Sequence, residues 1–99
     1  MGTRSLTFVY DDNDTPIINL YRQFDGYRTG HGQELAAFLN SISEVTNGIS
    51  MDEKRRTANG MSCLAAQLVA HFKVGVGGFY LYPTNQTDMW QDYEYHVYE

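Results

Sequence analysis

The sequence predicts an α+β domain, a small antiparallel sheet in the element order β-β-α-α-β-β with two helices packed on one face. Three observations carry this reading. Two strand-like runs separated by turn formers open the chain, two stripes with helical spacing fill its middle, and two aromatic, β-prone runs close it.

Arg4 to Tyr10 alternate, with Leu6, Phe8 and Tyr10 on one side and Ser5, Thr7 and Val9 on the other, the period of a half-buried strand. Asp11-Asp12-Asn13-Asp14-Thr15-Pro16 is a turn, and Ile17 to Arg22 resumes a β-branched and aromatic run, so the two strands are expected to form a hairpin. The stretch Phe24 to Gly32 has three glycines in seven residues, Gly26, Gly30 and Gly32, which imply positive φ or close backbone approach in a loop. Leu35, Phe38, Leu39 and Ile42 then recur at helical spacing and predict a helix over Gln33 to Ser43, with Glu34 in the favourable first turn.

Glu44 to Gly60 is polar and long for a connection, and Ser50-Met51-Asp52-Glu53 offers a capping box for a short helical turn ending at Arg56. A second helix capped by Asn59 or Ser62 carries Met61, Leu64, Ala65, Leu68, Val69 and Phe72 as one stripe and should be the most buried element. Glycines after Val74 end it. Phe79 to Tyr82 reads as a strand stopped by Pro83, and Tyr93 to Tyr98 as a last alternating strand.

With 99 residues the chain fits a single domain spanning 1–99, and 42% hydrophobic with 14% aromatic residues exclude a disordered polypeptide. Seven Lys plus Arg against twelve Asp plus Glu give a net charge of −5, which argues against long nucleic acid and anionic membranes as partners. A lone Cys63 forms no internal disulfide, and the first six residues hold no apolar signal segment, so a reducing, cytoplasmic setting is expected. No cofactor motif is present, and no metal site is expected: Asp11, Asp12, Asn13 and Asp14 lack the spacing of a calcium loop, and His31, His71 and His96 fall in separate elements.

Gly2-Thr3-Arg4-Ser5 opening a strand, Tyr21-Arg22-Gln23-Phe24-Asp25-Gly26-Tyr27, and Gly30 with Gly32 before a helix resemble a family of small uncharacterised proteins from bacteria and their phages. Tyr93 to Val97 is similar to that family's closing strand. The likeness carries no activity to these positions. It would suit a protein that sequesters a host signalling molecule in the host cytoplasm. One departure stands out, Arg28 after Tyr27 where the family commonly has proline.

The glycine loop is the leading candidate site. Amides of Gly30, His31 and Gly32 ahead of a helix would form an anion nest, with Arg4, Arg22 and Arg28 as donors and Asp25, Gly26 and Tyr27 completing the loop. The spacing is neither a Walker A motif nor a dinucleotide fingerprint. Arg22 would otherwise pair with Asp25 as a structural ion pair. The expected function is therefore a non-enzymatic, homo-oligomeric protein binding a small anionic, nucleotide-like ligand. The alternative is a protein–protein interaction module presenting Tyr82, Trp90 and Tyr98 from an aromatic C-terminal hairpin to a host protein. A third reading is a hydrolase using Asp25 and His31. Cys63 and His71, eight residues apart and so about 12 Å along one helix, cannot act together.

Overall fold

A computed structural model describes residues 3–42, 44–46 and 57–98. The capping box Ser50–Glu53 and the basic run Lys54-Arg55-Arg56 lie outside the described residues. The fold is α+β, with a mixed four-stranded sheet and two helices. Its strands are β1 (Ser5–Tyr10), β2 (Pro16–Arg22), β5 (Phe79–Tyr82) and β6 (Tyr93–Val97), in the order β5-β2-β1-β6. The helices are α1 (Gln33–Ser41) and α2 (Gly60–Phe72). Two three-residue strands, β3 (Glu44–Thr46) and β4 (Thr57–Asn59), pair in parallel within the segment that sequence reading left without strands.

β1 and β2 form the expected antiparallel hairpin, with Ser5 opposite Arg22 and Thr7 opposite Leu20. The Asp11 carboxylate accepts the amides of Asn13 and Thr15 at 2.9 Å and closes the turn. The closing strands depart from expectation. β5 pairs antiparallel with β2, while β6 pairs in parallel with β1 on the opposite edge, so the sheet is mixed and there is no C-terminal hairpin. Residues 83–92 must therefore cross the sheet from one edge to the other, the long connection that parallel strands require. Asn19, wholly buried, anchors that crossing by donating from Nδ2 to the carbonyls of Pro83 (3.1 Å) and Gln86 (2.8 Å).

Strand registers sort the side chains onto two faces. Val9, Leu20 and Val97 join Leu35 and Phe38 of α1 and Met61, Leu64, Ala65, Leu68 and Phe72 of α2 in the core, so the helices pack on this face. The same face carries Ser5, Thr7 and Arg22, all buried. The other face holds Leu6, Phe8, Tyr10, Tyr21, Tyr80, Tyr82 and His96, arranged as cross-strand ring pairs. His96 stacks on Phe8 with centroids 5.4 Å apart, Tyr98 stacks on Tyr10 at 4.3 Å, and Tyr21 meets the edge of Tyr82 at 5.7 Å. These contacts pair the rings with one another, and Tyr80, Tyr82, Tyr93 and Tyr98 nonetheless stay exposed on the surface.

α1 ends two residues earlier than its stripe implies, because Ile42 is already extended. α2 begins at Gly60, whose φ of 79° turns the chain out of β4, and the Asn59 side chain makes no cap hydrogen bond. Among the described residues no helix is long and apolar enough to cross a membrane.

Replacing Asn19 with alanine leaves two carbonyls of the crossing segment without their donor. The expected cost is about 1–3 kcal/mol in urea denaturation, accompanied by faster proteolytic cutting within residues 83–92. An unchanged midpoint with unchanged cutting would remove Asn19 as the anchor.

Candidate functional site

The glycine loop folds into one wide helical turn, Arg28–Gly32, running directly into α1. Gly32 N–H donates to the Tyr27 carbonyl five residues back at 3.3 Å, the reach of a π turn, while Gly30 N–H donates to the same carbonyl three residues back at 3.0 Å. His31 N–H donates to the Asp25 carbonyl at 2.8 Å. The three amides expected to form an anion nest are thus each engaged by the chain itself. None of the loop's three glycines has a positive φ; that conformation falls to Asp25, at 60°. Gly26 and Gly30 are required by close approach instead. A Cβ on Gly26 would lie 2.8 Å from Ser5 Cβ, and one on Gly30 would lie 2.5 Å from the Asp25 carbonyl oxygen.

This turn drives the His31 ring into the protein, where it is wholly buried. Phe72 (5.0 Å), Tyr95 (5.3 Å) and Phe79 (6.2 Å) surround it. Its Nε2 is hydrogen-bonded to Thr7 Oγ1 at 2.8 Å, and its Nδ1 to Arg22 Nη1 at 3.2 Å. A guanidinium can only donate, so Nδ1 is the acceptor and the proton sits on Nε2, directed at the Thr7 hydroxyl. The ring is therefore neutral. Burial holds its pKa down at about 4, the Arg22 charge adds to that depression, and Glu34 opposes it.

Arg22 is the second member of the cluster. Its guanidinium lies 4.9 Å from the Phe79 ring centre and donates through Nη1 to Glu34 Oε2 as well as to His31. The structural ion pair of Arg22 is thus with Glu34, in the first turn of α1, and not with Asp25. Arg22 Nε is buried and, among the described residues, donates to no group. Tyr95, beside Thr7 in the sheet, donates its hydroxyl to the Gly26 carbonyl at 2.7 Å and pins the loop from β6. Its pKa is raised, first by burial and then by Tyr93, against the pull of Arg28 and Arg22.

The remaining sequence candidates scatter. Arg4 precedes Ser5, the register partner of Arg22, so strand alternation directs it toward the other face and no two-arginine clamp forms. Its backbone instead binds Asp92, the amide to Oδ2 at 3.3 Å and the carbonyl to N–H at 2.9 Å. Asp25, Tyr27 and Arg28 are exposed. Asp25 and His31 do not make a catalytic pair, because both imidazole nitrogens are engaged by Thr7 and Arg22. Cys63 donates to Gln67 Oε1 at 3.3 Å. Among the described residues no three metal-ligating side chains gather.

Sequence reasoning missed Thr7, Glu34, Phe79 and Tyr95. The signal for Thr7 was present: with Ser5, it is a polar residue on the strand side that also carries Val9, which implies a buried polar partner.

Arg22 and Glu34 form one end of a cleft of about 280 Å³, lined further by His71, Phe72, Val74 and Phe79. Its polar end is a nearly buried cation whose carboxylate partner has a half-exposed side chain, and its walls are mostly apolar. Compared with protein-family models, curated proteins and solved structures, the chain matches none.

Two outcomes follow from this geometry. The unfolded chain protonates His31 near its ordinary value of about 6.5, whereas the fold holds it near 4. This contribution to stability is present above pH 6.5 and is lost as pH falls toward 4, on the order of 3 kcal/mol in total. Urea midpoints between pH 6.5 and 5 should fall for the wild type and fall less for His31→Gln; parallel profiles would contradict the assignment. Gly30→Ala should lower the unfolding free energy at pH 7 by about 1–3 kcal/mol from overpacking against Asp25, and a neutral result would contradict the close approach.

Proposed function

We propose that the protein binds a small anion, a phosphate or carboxylate group on a short body, without turning it over. The observation that carries this reading is the Arg22 guanidinium, held in place by Phe79 and the neutral His31 and facing the cleft beside a half-exposed Glu34. A guanidinium fixed in this way loses little freedom on binding, and it matches a carboxylate or phosphate. Glu34 occupies the position that an arriving anion would take, so binding is an exchange of one carboxylate for another anion. His71 and the rings of Phe72 and Phe79 would flank the body of the ligand. A nucleotide's phosphate fits the chemistry, with the remainder of the molecule extending beyond a cleft of about 280 Å³. The donors are then side chains rather than the loop amides, which already serve the turn.

No catalytic role is assigned, because the buried imidazole stays neutral near neutral pH and has both nitrogens committed to Thr7 and Arg22.

Glu34→Gln keeps the shape of the cleft and removes the competing charge. Calorimetric titration with inorganic phosphate and a panel of nucleoside monophosphates should give an affinity roughly tenfold higher for Glu34→Gln than for the wild type, a gain of about 1.4 kcal/mol. Arg22→Leu should abolish the heat. If neither the wild type nor Glu34→Gln binds any of these anions, the proposal is wrong.

A further inference from the structure

Trp90 is displayed rather than packed. It is 84% exposed, and its indole stacks on no ring among the described residues. Its backbone has a φ of 60°, a strained conformation that bulky residues rarely adopt. Neighbouring side chains hold it there. Gln91 Oε1 accepts the Met89 amide at 2.7 Å, while Gln91 Nε2 donates to the Thr87 carbonyl and to Glu94 Oε2, each at 2.8 Å. Asp88 Oδ1 accepts the Trp90 amide at 3.4 Å. The loop thus holds a strained residue with its largest apolar side chain in water.

The other half of a contact lies elsewhere on the same molecule. Ile17, Ile18, Ala65, Ala66, Val69 and Leu81 line an open groove of about 400 Å³ between α2 and the β2/β5 side of the sheet. Leu81 is 57% exposed there. Two alanines line the groove, and among the described residues no charged side chain does. The adjacent edge of β5 is blocked at its start. Gln23 N–H donates to the Gly78 carbonyl, so ladder alternation turns the backbone groups of Phe79 and Leu81 outward. Of these, Phe79 N–H donates to the Gly77 carbonyl, and the Phe79 carbonyl accepts from Lys73 Nζ at 2.9 Å; Pro83 follows the strand. That shortens the stretch open to strand pairing and leaves the apolar groove as the larger surface on this side.

Charge selects the occupant. The chain carries −5 overall and has no Lys or Arg after Lys73. Asp88 and Asp92 flank Trp90. Lys73, the residue after α2 and four beyond Val69, holds its ammonium group against the Gly77 and Phe79 carbonyls at the start of β5. An indole between two carboxylates is complementary to an apolar groove beside a strand whose start carries an ammonium group, and both halves belong to this chain.

We propose that Trp90 of one copy seats in the Ile17–Leu81 groove of a second copy, with its acidic flanks toward Lys73. Reciprocal exchange about a two-fold axis buries two indoles, roughly 150–250 Å² each. This contact is separate from the Arg22 cleft and does not depend on it.

Trp90 is the chain's single tryptophan, so its emission reports the contact directly. Sedimentation velocity and fluorescence are measured on the whole chain over a concentration series, with Trp90→Ala and Ala66→Glu, both at exposed positions, checked for folding by circular dichroism. The expected result is a blue shift that rises with the oligomer fraction and a loss of affinity of roughly tenfold or more in either variant. Mixing the two variants should restore the shifted emission, because one supplies the groove and the other the tryptophan. A monomer at every concentration, emission that stays at its water-exposed position, or an oligomer indifferent to both substitutions would overturn the proposal.

Discussion

The hydrogen bond from Arg22 to a neutral, buried His31 is the constraint on which the rest of the structure depends. It joins β2 to the loop before α1, and the second nitrogen of the same ring joins that loop to β1 through Thr7. A buried polar group is costly unless it is paired, and here one imidazole satisfies a hydroxyl and a guanidinium together. The π turn has a structural explanation in this light. An ordinary α-helical start would place position 31 differently, and the wider turn brings the ring into the space bounded by Phe72, Phe79 and Tyr95. Gly26 and Gly30 then become necessary because the loop must lie against β1 and fold back on Asp25 with no room for a Cβ.

The same constraint organises charge. A protonated His31 would set a second cation beside Arg22, so the site keeps one positive charge, shared between Glu34 and the cleft. This nearly buried cation stands out on a chain with a net charge of −5. On the opposite face the sheet makes a different use of its aromatic residues. Phe8, Tyr10, His96 and Tyr98 form a continuous ring ladder, with the Tyr10 hydroxyl 2.6 Å from His96 Nδ1 and Glu94 Oε1 3.2 Å from His96 Nε2.

Much of the fold was legible because its signals are local. Alternation from Leu6 to Tyr10, the turn at Asp11 to Pro16 and the stripes from Leu35 and from Met61 each report a face that must be buried. Strand partnership is not local. Nothing in Phe79 to Tyr82 or Tyr93 to Val97 states which edge each will join, and the short gap between them favoured a hairpin over a crossing tied down by a distant Asn19. β3 and β4 were missed because three residues are too few to display a period. At the site, Arg22 and His31, both named from the sequence as ligand contacts, are joined to each other by a hydrogen bond, and their partners were not anticipated. Glu34 reads as an ordinary acidic residue at a helix start, and its pairing with Arg22 depends on how α1 meets the sheet. The loop amides were misread because a glycine-rich turn before a helix looks the same in sequence whether its N–H groups face a ligand or its own carbonyls.

The most direct test of this account is nitrogen NMR of the His31 ring across a pH titration. The structure requires a neutral imidazole protonated at Nε2, with Nδ1 showing the shift of a hydrogen-bond acceptor, persisting from neutral pH to below pH 5. A ring that titrates near its ordinary value of about 6.5, or that carries its proton on Nδ1, would contradict the Arg22–His31 bond and the reading of the cleft built on it.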